Sequence, residues 1–135
     1  MADVALAGTW AYQSYLNTQD QTVFGAGIFT FTTPSPDKIQ GTLDMGDDLV
    51  LDLDGTVTAA SGNLPLTVHI IGNGRPKTKT DGWEYDYHGY LGYMWPNGVD
   101  QVPSLVGTIV RAKPHNGSPA GVTASFIAVN LTWTS

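Results

Sequence analysis

Cysteine is absent from this chain, which excludes a disulfide framework, a thiolate metal site and a cysteine nucleophile together. Cations are scarce: Lys and Arg number six against twelve Asp and Glu, for a formal charge of −6. The electrostatic footprint of a phosphate-backbone partner is therefore missing, and nucleic acid is not expected. No stretch approaches the roughly 20 apolar residues of a membrane helix, so no membrane span is expected. The N-terminus, Met1-Ala2-Asp3-Val4-Ala5-Leu6, lacks a basic region followed by an apolar run of about 7–15 residues. With no cysteine to protect, a cytoplasmic location is the expectation. No Ser lies in a nucleophile-elbow context, Gly72-Asn73-Gly74 has no following helix to hold a phosphate, and the Asp44 to Asp54 run lacks calcium-loop spacing. His69, His88 and His115 show no close metal-motif spacing, so no metal or cofactor is expected.

Period-two alternation is present throughout, and no window of about a dozen residues keeps helical spacing. The alternation predicts an all-β chain of eight strands: Leu6–Tyr15, Gly25–Thr32, Lys38–Asp44, Asp48–Thr58, Leu64–Gly72, Gly82–Leu91, Ser104–Ala112 and Val122–Trp133. Connections short enough for hairpins, except Gly92–Pro103, favour an antiparallel up-and-down meander. Closing that sheet removes two aggregation-prone edges, so residues 1–135 read as one domain, an eight-stranded antiparallel β-barrel, with a sandwich as the alternative. Alternation places Leu49, Leu51 and Leu53 inward, together with Trp10 and Tyr12, Phe29 and Phe31, and Leu105, Ile109 and Arg111.

Between Gly82 and Asp100 the chain gathers Trp83, Tyr85, Tyr87, Tyr90, Tyr93 and Trp95 around Glu84, Asp86 and His88. Tyr and Trp bury large areas and keep a polar handle, which suits a ligand cavity or a contact surface. The sixth strand has two registers with different chemistry. With Trp83, Tyr85 and Tyr87 inward the cavity is aromatic; with Glu84, Asp86, His88 and Tyr90 inward it holds an acid/base set for a lyase, isomerase or cyclase. The aromatic register is preferred, because burying unpaired charge costs more than exposing Tyr. His69 is expected beside His88 across a strand pair, where the two could titrate together.

The loop Tyr93 to Asp100, with Trp95, Asn97 and Asp100, reads as a cap or plug at the barrel end that holds the N-terminus, with a lid or contact surface as the other reading. The basic cluster Arg75, Lys77 and Lys79 reads as solvated loop charge, or else as a charged gate with Asp44, Asp47 and Asp48, at the opposite, open end.

Leu6-Ala7-Gly8-Thr9-Trp10 resembles the Gly-x-Trp opening of the first strand in calycins, the superfamily of lipocalins, fatty-acid-binding proteins and avidins. The resemblance implies a barrel that holds a small, often apolar molecule, and a late-strand Arg lying across that Trp, here Arg111 and Trp10. Its avidin branch implies a homo-oligomer. Arg111 falls on the seventh strand and not the eighth, and Ala11-Tyr12-Gln13-Ser14-Tyr15 is not the polar biotin-holding pattern of avidins, so biotin is not implied. The expected function is binding of an apolar or aromatic small-molecule ligand by Tyr12, Phe29, Phe31, Trp83, Tyr85, Tyr87 and Arg111. The alternatives are the acid/base enzyme and a sugar-binding or self-assembling surface protein.

Overall fold

Alternating apolar residues punctuated by Gly, Asn and Asp yield eight strands. The computed structural model describes residues 6–92, 102–115 and 117–131. The strands are β1 (Gly8–Leu16), β2 (Val23–Ser35), β3 (Lys38–Asp44), β4 (Val50–Thr58), β5 (Thr67–Gly74), β6 (Glu84–Gly92), β7 (Ser104–Arg111) and β8 (Thr123–Asn130). Each pairs antiparallel with its sequence neighbour, and β8 returns to pair with β1, closing the barrel. Closure satisfies the backbone donors and acceptors that open edges would expose. No helix among the described residues is long and apolar enough to cross a membrane.

The inward face carries the core. Trp10, Tyr12, Phe29, Phe31, Leu43, Leu51, Ile70, Tyr87, Leu105 and Ile109 are all buried. The barrel is solid at one end and hollow at the other, because inward side-chain volume is unevenly distributed along the strands. Toward the closed end Phe29 stacks on Phe31 at 4.9 Å, Trp10 packs against Phe31 at 6.2 Å, and Phe126 meets Phe29 at 6.3 Å. Trp10 Nε1 donates to the Leu6 carbonyl at 2.9 Å, which holds the entering chain against this end. Toward the mouth the inward positions include Ser14, Gly25, Gly72 and Ala124, small residues that let the larger neighbours close in: Gly72 lies against Leu53 and Tyr87, and Gly25 borders open space.

Two loops meet at the mouth. Lys79 Nζ donates to the Asp47 carbonyl at 2.9 Å, and Arg75 forks onto Asp52 with Nε and Nη2 at 3.1 and 2.9 Å from Oδ1. The basic and acidic segments are therefore in contact across the β3–β4 and β5–β6 connections. Both pairs are exposed and contribute little stability. A firmer anchor is Thr80, fully buried, whose hydroxyl donates to the Val50 carbonyl at 2.8 Å and accepts from Arg75 N at 3.0 Å.

Candidate functional site

The hollow end holds a cavity of about 320 Å³ whose walls include Tyr12, Phe24, Met45, Trp83, Tyr85, Tyr87, Arg111 and His115. Its aromatic side comes from β6, whose register places Tyr85 and Tyr87 inward, with Trp83 just before the strand; Asp86, His88 and Tyr90 lie on the outer face. Glu84 is also on that outer face, 3.2 Å from Lys113 Nζ. The acid/base set considered for a barrel enzyme is thus outside the barrel, because the aromatic residues of the same strand take the interior.

Phe24 reaches the cavity through a backbone irregularity. Ser14 pairs with Gly25 but Tyr15 pairs with Val23, so Phe24 is the extra residue of a β-bulge. A bulge re-aims one side chain, and here the ring joins the inner wall beside Gly25 instead of alternating outward. The Arg111 guanidinium lies 5.5 Å from the centroid of Phe24 and 5.8 Å from that of Tyr85.

Arg111 organises the polar side of the site. It is 8% exposed, its Nε donates to Tyr85 Oη at 3.2 Å, and its Nη1 donates to the Pro119 carbonyl at 3.2 Å. Among the described residues no carboxylate lies within ion-pair distance of it, and nothing accepts a hydrogen bond from Nη2. Tyr85 Oη is 2.7 Å from His115 Nε2. Because Arg111 can only donate, Tyr85 Oη accepts from it, and the direction of the Tyr85–His115 bond follows the tautomer of the imidazole. His115 Nδ1 is buried with no partner among the described residues. Burial, and then the positive charge of Arg111, hold the His115 imidazole below its ordinary pKa. The His115 ring also stacks on Trp83 at 4.2 Å, which fixes the hairpin loop over the mouth. Deeper in, Tyr12 Oη donates to Ser14 Oγ at 2.7 Å. Burial pushes the Tyr12 and Tyr87 phenols well above the usual range, so both stay neutral.

Of the residues expected to line a ligand site, Tyr12, Trp83, Tyr85, Tyr87 and Arg111 border this cavity, whereas Phe29 and Phe31 do not. Those two fill the closed end, where large side chains converge. Arg111 does not lie across Trp10. It sits at the mouth end of β7, while Trp10 pairs with Asn130 near the closed end, so the strand on which each falls keeps them apart. Trp95, Asn97 and Asp100 fall outside the described residues; the flanking Gly92 and Ser104 pair at the closed end, away from the cavity. Phe24, Met45 and His115 were not expected at the site. His115 follows Arg111 by four residues in a connection leaving the mouth, and that proximity was the available signal.

Fold and site together define a closed eight-stranded antiparallel barrel with an aromatic cavity at one end and a buried guanidinium in its wall. Comparisons with protein-family models, with curated proteins and with solved structures find no match to this chain.

Proposed function

We propose that the barrel binds a small, flat, apolar or aromatic molecule carrying one anionic or electron-rich oxygen, with the rings against Trp83, Tyr85 and Phe24 and the oxygen on Arg111. The carrying observation is Arg111: a buried cation with no carboxylate partner among the described residues, in the wall of a largely aromatic cavity. A buried charge left unpaired is costly, and a ligand oxygen is the natural partner. The cavity of about 320 Å³ lies at the small end of the ~300–1,000 Å³ range of ligand pockets, which favours one or two rings over a long chain. The closed meander and the Gly8-Thr9-Trp10 opening support a calycin-like reading of the barrel, with Arg111 serving the mouth instead of the Trp end.

The test is a fluorescence titration with aromatic carboxylates and their neutral methyl esters, using Trp83→Phe to identify the reporting ring. The acids are expected to bind and the esters to bind more weakly. Arg111→Gln should weaken acid binding by about 10- to 150-fold, the equivalent of a charged hydrogen bond of roughly 1.5–3 kcal/mol, and leave ester binding nearly unchanged. Equal affinity of acid and ester for the wild-type barrel would overturn the proposal.

A second reading rests on the Arg111–Tyr85–His115 chain, which is arranged to move a proton at Tyr85 Oη. It is distinguished by recovering the bound molecule: unchanged ligand supports a binder, and a rearranged product lost in Tyr85→Phe supports acid/base catalysis.

A further inference from the structure

The outer face of the barrel carries a second cluster, unconnected with the cavity. His69 on β5 and His88 on β6 are direct cross-strand partners, and their rings stack with centroids 4.1 Å apart at 16°. Asp86, two residues before His88 and therefore on the same face, is diagonal to His69, and its Oδ1 lies 2.7 Å from His69 Nε2. One ligand atom from each of the three lies within 4.8 Å of the others. The chain spacing hides this group, because Asp86 and His88 stand on one strand and His69 reaches them only through the β5–β6 register.

We propose that His69, His88 and Asp86 form a binding site for a divalent transition ion of the zinc type. The donor set argues for the class of ion: two imidazoles and one carboxylate suit Zn²⁺, Cu²⁺ or Ni²⁺, whereas Mg²⁺ and Ca²⁺ require oxygen ligands. The side chains stand on adjacent paired strands, so the backbone fixes their separation, and rotation about exposed side-chain bonds closes the donors toward the ~2.0–2.2 Å of zinc–nitrogen and zinc–oxygen bonds. The direct cross-strand partners of the three residues, apart from one another, are Thr56, Ile71, Thr108 and Val110, none of them cationic, and the nearby Lys113 is held by Glu84, two residues before Asp86. A shallow depression of about 200 Å³ adjoins the imidazoles, with Thr56, Thr58 and Thr67 in its wall. It gives room for the water that would complete a site with three protein ligands.

Zn²⁺ itself is the probe, titrated by calorimetry into the whole chain in a non-chelating buffer, with Mg²⁺ as control. One Zn²⁺ per chain should bind saturably and Mg²⁺ should not. The ¹⁵N imidazole resonances of His69 and His88 should shift while those of His115 stay in place. His69→Gln and His88→Gln should each abolish the site. Asp86→Asn should weaken it by about 10- to 100-fold, the range for losing a carboxylate that ligates or orients a histidine. All three positions are on the outer face, so thermal melts of the variants should stay close to wild type. No saturable binding up to millimolar Zn²⁺, or binding that survives both His substitutions, would overturn the proposal. Neither result bears on the cavity, whose test uses other residues and another ligand.

Discussion

His115 occupies a position where small changes in acidity have structural consequences. Its neutral form shares a hydrogen bond of 2.7 Å with Tyr85 Oη and stacks on Trp83, while burial and the adjacent Arg111 oppose its protonation. The folded barrel thus binds this proton less readily than the unfolded chain, whose imidazole titrates near the ordinary ~6.5. As pH falls through that value the unfolded state takes up the proton first, so the contribution of His115 declines until the lower native pKa is reached and is constant below it. The expected outcome is a wild-type melting temperature that falls between pH 7 and pH 5 more steeply than that of His115→Gln. Parallel curves for the two proteins would remove His115 as the source. The same physics keeps Tyr12 and Tyr87 neutral, so the deep wall of the cavity offers hydroxyls and ring faces but no charge.

At the scale of the strands, alternation was enough to place the eight elements and the inward faces of β1, β2, β4 and β7, because a half-buried strand writes its burial into every second residue. By contrast, β6 is apolar or aromatic on neither face alone, and its register was chosen on the cost of burying charge. β3 occupies Lys38–Asp44 in both sequence and structure, and β4 differs only at its start. β2 runs longer than expected at both ends, through Val23 and through Thr33-Pro34-Ser35, where pairing and not propensity decides the limits. Three features of the cavity were not legible. Period two assigns Phe29, Phe31 and Tyr12 alike to the interior but does not say which end is filled, since that depends on what the facing strands contribute. The bulge at Phe24 breaks the alternation that would have located it. The meeting of His115 with Tyr85 depends on the path of a loop. Close strand approach imposes its own demands: a Cβ on Gly107 would come within 1.8 Å of the His88 carbonyl oxygen, and one on Gly55 within 2.2 Å of that of His69. Gly107→Ala should therefore force β6 and β7 apart and destabilise the barrel by about 1–3 kcal/mol, measured by urea denaturation. A neutral result would show that the strands can separate at no cost.

For the molecule as a whole, the decisive element is the seam between β1 and β8. Seven pairings join strands adjacent in sequence, while this one joins the two ends of the series, from Trp10 facing Asn130 to Leu16 facing Ala124. A closed ring predicts that amides in β1 and β8 exchange with solvent as slowly as those in β4 and β5, because none of the four is an edge. Much faster exchange confined to β1 and β8 would mean that the seam opens on its own. The seam also places Leu131 N 2.8 Å from the Thr9 carbonyl, so the chain leaves the barrel beside the point where it enters. A ring whose ends touch has no obligatory first strand. A circular permutant that joins Leu131 to Leu6 through a short glycine–serine bridge and opens the chain in the exposed turn at Gly46–Asp48 should rebuild the same barrel, its former seam now an ordinary hairpin, with a wild-type circular-dichroism spectrum as the check.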